Sequence, residues 1–291
     1  MSCTDCFRGG RATGNPTGSI TTIHGLKTYV AAPPAKSTSS STIIIFTDAF
    51  GLGLVNNKLI ADSFSLLTGF RVLVPEVIPG GGMSPDVMPV MDIVLEPVAP
   101  FWNIWGQARR AFNLVKALSH FIPFMIRAHP PKAFPTCLEF ARKVKAELPA
   151  GAKLGVAGFC WGGYHSLHSC MEPAVQGTTE RLVDAQFCAH PSLLKIPGDI
   201  VDAVSKFKTP VSIALGDQDY VLKPAQLEEE EAVLRTSVGE GNGQNGVFYE
   251  FKVYKGPGHG FAVRAKPESD VEAKAADEAK DQAVEWFKRW L

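Results

Sequence analysis

The chain has 291 residues, 45% of them hydrophobic and 20% charged, with a formal net charge of zero. A chain of this size can bury a large core, and one domain spanning residues 1–291 is the default expectation. With balanced charge and no lysine or arginine block, neither nucleic acid nor an anionic membrane is an expected partner; a small molecule is, bound by a monomer or homodimer.

The first twenty residues hold Asp5, Arg8 and Arg11 and lack an apolar core segment, so no secretory signal is expected and the cytoplasm is the default compartment. Six cysteines make a thin disulfide framework for this length. Cys3 and Cys6 form a Cys-x-x-Cys pair, but no second such pair follows to complete a metal site, so an ordered tail is the simpler reading. Val87 to Trp105 approaches the length of a membrane span, yet it carries Asp92, Glu96 and three prolines, which argues against one.

In chain order, residues 1–18 read as irregular. Ser19 to Ile23 and Leu26 to Val30 flank His24-Gly25 and predict an antiparallel hairpin. Thr42 to Phe46 is a continuous β-branched run expected of a strand covered on both faces. Leu54 to Thr68 has helical spacing, and Phe70 to Pro75 reads as a second buried strand. From Gly80 the alternation fails for about fifty residues. Two helical pieces are expected there, near Gly106–Leu118 and from Thr136 to Leu148, amid many Met, Pro, Phe and Trp. Residues 80–135 are either ordinary core helix or a lid that lines an apolar pocket.

Leu154 to Tyr164 contains Gly158-Phe159-Cys160-Trp161-Gly162, a strand-to-helix turn of the Gly-x-nucleophile-x-Gly type. It places Cys160 in the first turn of a helix, where the dipole favours the thiolate; the plainer alternative is a buried core thiol. Ala185 to Ala189 reads as a strand ending at His190, which either lines the pocket or simply closes the strand. Pro210 to Leu215 is the next strand, closing in Gly216-Asp217-Gln218-Asp219. Leu222 to Thr236 predicts a helix whose Glu228 to Glu231 form a solvated face, and Gly239 to Gly246 a surface loop. Val247 to Val253 is the last strand, leading to Gly258-His259-Gly260-Phe261, and a closing helix carries Ala276, Ala279, Ala283, Phe287 and Trp290 on one face.

Cys160, Asp219 and His259 thus follow three separate predicted strands in the order nucleophile, acid, histidine, which is the chain order of the α/β-hydrolase triad. Asp217 is the alternative acid, and a turn-capping role is open to either carboxylate. In such a triad the acid orients the imidazole and stabilises its positive form, and the imidazole activates the thiol. The oxyanion would meet the N–H of Trp161 and one from the loop after the first buried strand, for which Ala49 is the candidate.

These motifs resemble the dienelactone hydrolase family of α/β-hydrolases from about Ile43 onward, on Gly158-Phe159-Cys160-Trp161-Gly162-Gly163, Gly216-Asp217-Gln218-Asp219 and Gly258-His259-Gly260-Phe261-Ala262. The resemblance implies a mainly parallel sheet with helices on both faces, and a cysteine triad that opens an enol-lactone or related activated ester through an acyl-enzyme, with no metal or organic cofactor. Where bacterial members supply a glutamate that pairs with the resting thiol, Asp48 matches; where they place a carboxylate-binding arginine after the histidine, Val263 precedes Arg264. Thr47-Asp48-Ala49-Phe50-Gly51 looks more like the fungal branch of the family. Asp48, Phe50, His190, Phe261 and Arg264 are the candidate substrate-binding residues. The expected activity is hydrolysis of a small ester or lactone, of the enol-lactone or the aromatic or polyketide-like kind. Isomerisation or C–C bond cleavage in the same crevice, and small-molecule binding without turnover, are the competing functions.

Overall fold

The computed structural model describes residues 12, 14–95, 100–266 and 268–291; Cys3 and Cys6 lie outside them. Its centre is an eight-stranded sheet in the order β1-β2-β4-β3-β5-β6-β7-β8. The hairpin of β1 (Ser19–Ile23) and β2 (Leu26–Ala31) lies antiparallel at one edge, with β2 also antiparallel to β4. β3 (Thr42–Phe46) is buried at all five positions, as a β-branched run between two helical layers must be. α1 (Val55–Thr68) then returns the chain to β4 (Arg71–Pro75), which pairs parallel with β3.

Between β4 and the next strand the chain forms α2 (Met88–Leu95), α3 (Ile104–Arg127) and α4 (Pro130–Glu147). Both expected helices are present but longer, because proline did not stop them. Pro123 lies inside α3 and Pro135 inside α4, each giving up one backbone hydrogen bond. The true start of α4 is Pro130, at the first helical position, where the missing N–H costs nothing.

β5 (Leu154–Phe159) is fully buried and feeds directly into α5 (Trp161–Ser169). β6 (Ala185–Ala189), the short α6 (Asp199–Ser205), β7 (Val211–Gln218), α7 (Pro224–Ser237) and β8 (Tyr249–Gly258) follow. A single turn, α8 (Phe261–Arg264), leads to α9 (Asp270–Trp290), whose Ala276, Ala279, Ala283 and Phe287 are buried.

One expectation about α7 is corrected. Glu230, read as part of a solvated face, is wholly buried, and its carboxylate accepts the N–H of Gly198 at 2.8 Å and of Val201 at 3.2 Å. Those donors belong to the start of α6, which has no acceptors of its own there. A glutamate run looks uniformly polar in sequence, whereas the helix turns one of its members toward an end that needs an acceptor.

Candidate active site

Strand register assembles the site. Phe46 pairs with Gly158, Phe159 with Ala189, Ala189 with Ala214 and Gln218 with Gly258. The residues just beyond these pairs therefore crowd together at the carboxyl edge of the sheet: Asp48 and Ala49 after β3, Cys160 after β5, His190 after β6, Asp219 after β7 and His259 after β8.

Cys160 has φ 51° and ψ −112°, a strained conformation for a residue with a side chain. Its flanking glycines permit it. A Cβ on Gly158 would strike the Gly162 carbonyl and the Ser166 hydroxyl, and one on Gly162 would strike the Phe46 carbonyl oxygen. The turn is held by the Cys160 N–H donating to the Ala189 carbonyl and the Ser192 N–H donating to the Cys160 carbonyl.

His259 bridges the other two groups. Its Nε2 lies 3.1 Å from Cys160 Sγ, and its Nδ1 lies 3.0 Å and 3.1 Å from the two carboxylate oxygens of Asp219. The His259 side chain is 4% exposed and that of Asp219 is 0%. Asp219 Oδ1 also accepts the N–H groups of Val221 and Leu222, which fixes the carboxylate. Asp217 does not reach the histidine; it accepts the N–H of Gly256 at 2.7 Å, a link between β7 and β8.

Burial alone would push the Cys160 thiol up. The charge of His259, its hydrogen bond and the charge of Arg264 outweigh that and lower the pKa, with Asp48 acting the other way. Burial would likewise push His259 down, but the charge of the thiolate, the hydrogen bond to Asp219 and the contact with Cys160 raise it to about 9. Both shifts run in the direction that favours a thiolate beside an imidazolium.

Trp161 is the first residue of α5, so its N–H has no acceptor within the helix. Ala49 is half-buried in the loop brought beside the elbow by β3–β5 pairing. Asp48 is buried; its Oδ1 accepts from Asn57 Nδ2 at 3.0 Å and from the Phe50 N–H, and its Oδ2 lies 3.4 Å from Arg264 Nε. The guanidinium of Arg264 sits 5.4 Å from the centroid of the buried Phe50 ring. Asp48, Phe50 and Arg264 therefore form one cluster, and Arg264, despite its one-residue displacement, acts electrostatically on Cys160.

His190 is fully buried, and its ring meets His259 edge-on at 5.1 Å and Phe261 at 5.7 Å. Burial holds its pKa well below the usual value, with the charges of His259 and Arg264 adding to the effect, so it is neutral. Phe261 is buried between His190 and Tyr254. His190 thus packs against His259, and Phe261 against His190.

Two neighbours were not singled out from the sequence. Ser192 Oγ stands 3.7 Å from Cys160 Sγ, and the Tyr220 ring lies 5.7 Å from that of His259. Tyr220 directly follows the acid, which was a usable signal; Ser192 lies in a turn after β6 that no motif marks. Among the described residues no group of three or more His, Cys, Asp or Glu is placed to hold a metal ion.

A mainly parallel sheet with Cys160, Asp219 and His259 just beyond β5, β7 and β8 has the arrangement of an α/β-hydrolase. Among solved structures, a putative dienelactone hydrolase from Klebsiella pneumoniae superposes with a TM-score of 0.63 at 15% identity, covering 95% of this chain and 100% of that one. The Pyrococcus furiosus esterase Pf2001 superposes with a TM-score of 0.55 at 15% identity, over 96% and 98%; both show the shared fold. The model of the dienelactone hydrolase family matches residues 26–291, and the chain belongs to that family. It is similar to hydrolase pyvD of Aspergillus violaceofuscus, 27% identical over 98% of this chain and 96% of that one. Dienlactone hydrolase 1 of Gibberella moniliformis is also 27% identical, over 98% and 93%, and a human carboxymethylenebutenolidase homolog is 24% identical over 92% and 89%. The chain is accordingly an enzyme of the ester- and lactone-hydrolysing class.

Proposed function

We propose that the enzyme cleaves small activated esters or lactones through an acyl-thioester on Cys160. The observation that carries this reading is the bridging of Cys160 Sγ and the Asp219 carboxylate by one buried imidazole, His259. The thiolate attacks the carbonyl carbon, and the carbonyl oxygen takes the negative charge toward the N–H groups of Trp161 and Ala49. As the carbon–oxygen bond of the ester breaks, His259 gives its Nε2 proton to the departing alkoxide or enolate. In a lactone that group stays tethered as the hydroxyl or ketone end of the opened chain. The now neutral His259 removes a proton from water, whose oxygen attacks the thioester; the acid leaves and the thiolate–imidazolium pair is restored.

Asp219 holds the imidazole with Nε2 toward sulfur and stabilises its charge. Asp48, Phe50, His190, Phe261 and Arg264 shape the space around the reacting carbonyl, and the closeness of the Asp48–Arg264 pair to the thiolate supports that role. The described residues of the 80–135 segment act as a cap over this edge. In support, the Trp161 indole N–H donates to the Ala128 carbonyl at 2.7 Å and the Met83 N–H donates to the Ala49 carbonyl at 2.8 Å, so both ends of the segment are tied to the two candidate oxyanion donors' own residues.

The test is turnover of a panel of aryl esters and enol-lactones by the wild type and by Cys160→Ala. The reading expects activity in the first and its disappearance in the second. Activity retained by Cys160→Ala contradicts the thiol as nucleophile.

A further inference from the structure

Helix α3 packs with its amphipathic face turned the wrong way round. Its inward positions, Gly106, Arg110, Asn113, Ala117 and Phe124, are mostly small or polar. The opposite face carries Ile104, Ala108, Ala111, Val115, Ile122 and Ile126, all exposed and spaced three, four or seven residues apart, so they form one stripe. Val115 is 68% exposed and Ile126 71%, and Trp105 and Phe112 widen the stripe at 87% and 71%. Over 24 residues at about 1.5 Å each this is an apolar strip some 36 Å long, far more than scattered surface hydrophobics.

The edge of the stripe beside Trp105 and Phe112 has a single sign. Arg109 and Lys116 fall along it at helical spacing with the exposed His120, Arg127 at its end turns in to donate to the Gly81 carbonyl at 2.7 Å, and α3 contains no aspartate or glutamate. Phe101 and Trp102 stand exposed just before the helix. A helix with an apolar face, interfacial aromatics and basic residues at the boundary matches the chemistry of an anionic lipid surface. No helix among the described residues is long and apolar enough to cross a membrane, and the strip is suited to lying in the interface instead. A second copy is a poorer match, because antiparallel pairing through the stripe would set two basic edges side by side.

The geometry points to α3 as an in-plane docking helix that seats the enzyme on an anionic lipid bilayer, with Ile104, Val115, Ile122 and Ile126 in the acyl region and Lys116 at the headgroups. The whole-chain charge of zero does not reveal this, because α3 holds basic residues and no acidic ones while the rest of the chain supplies the balance.

Vesicle flotation of the full-length protein tests it. The wild type is expected to float with phosphatidylcholine vesicles containing about 30% phosphatidylserine, to float less with pure phosphatidylcholine, and to be partly released between about 0.1 and 1 M salt as charges are screened. Val115→Glu combined with Ile122→Glu is expected to lower the bound fraction about tenfold, since each puts a charge in the apolar region. Lys116→Glu is expected to weaken binding to the phosphatidylserine vesicles alone. All three substitutions are on exposed side chains, and thermal melting checks that the variants fold; should the double variant fail to melt cooperatively, Lys116→Glu decides. A wild type that does not float, or variants that float as it does, overturns the proposal. A wild-type dimer that floats with neither vesicle and that the double substitution makes monomeric also overturns it, in favour of an interface between copies.

Discussion

The imidazole Nε2 of His259 stands 3.1 Å from the sulfur of Cys160, 99 residues earlier in the chain, and the His259 side chain is only 4% exposed. Each group's ionisation is set by the other, so they titrate as a pair and not as two independent groups.

That coupling predicts a consequence of removing the thiol. With Cys160→Ala, the charge and contact that lift His259 to about 9 disappear, while the burial that pushes it down remains. Proton NMR of the imidazole is expected to show the His259 titration moving to clearly lower pH in the variant. An unchanged titration would mean that the pair is not charged at rest.

The same pair sets the pH–rate profile. Acylation needs the thiolate to attack and the imidazolium to protonate the leaving oxygen. Its rate under single-turnover conditions is expected to be level between the lowered thiol pKa and about 9 and to fall on both sides. Stability follows the same groups with opposite signs. The raised pKa of His259 contributes fully below its unfolded value of 6.5 and is lost as pH rises through about 9. The lowered pKa of Cys160 contributes above the unfolded value of 9.0 and is lost as pH falls through its folded value. Chemical denaturation across pH 6–10, compared between wild type and Cys160→Ala, separates the two.

The two carboxylates after β7 are expected to behave differently. Asp219→Asn removes the charge that orients His259 and should lower kcat/KM by roughly 10³–10⁴-fold with little change in fold. Asp217→Asn only weakens a contact with the Gly256 N–H, and kcat/KM is expected to stay within about threefold of wild type, as for surface substitutions that miss the chemistry. Equal losses in both variants would contradict the assignment of Asp219 as the acid.

Glu230 makes a prediction about stability alone. Glu230→Ala leaves the part-buried N–H groups of Gly198 and Val201 without their acceptor, at a cost of about 1–3 kcal/mol, and Glu230→Gln is expected to recover part of it. Urea unfolding measures both, and neither change is expected to alter the pH–rate profile.

The legible parts of the sequence were those governed by local rules. The elbow was readable because only glycine tolerates the approach of α5 to β5 and to the loop after β3, so the pattern around Cys160 is forced. Asp219 and His259 were readable because each ends a strand of recognisable composition. The distance between them was not, since it depends on the β7–β8 register. Glu230 and α3 were misread or incompletely read for a shared reason. Helical periodicity defines an apolar or polar face but not what it meets, and the usual expectation that the apolar face turns inward fails for α3. Pro123 and Pro135 are carried inside helices whose other turns hold them, so both helices run past the expected bounds.

The covalent step is the centre of the account, and intact-protein mass after acid quench, with a slowly deacylated aryl ester, examines it directly. The account predicts a transient mass increase equal to the acyl group, located by peptide mapping to the fragment containing Cys160 and absent from Cys160→Ala. Steady turnover with no adduct on Cys160 at any quench time, or an adduct on another side chain that Cys160→Ala still forms, would contradict it.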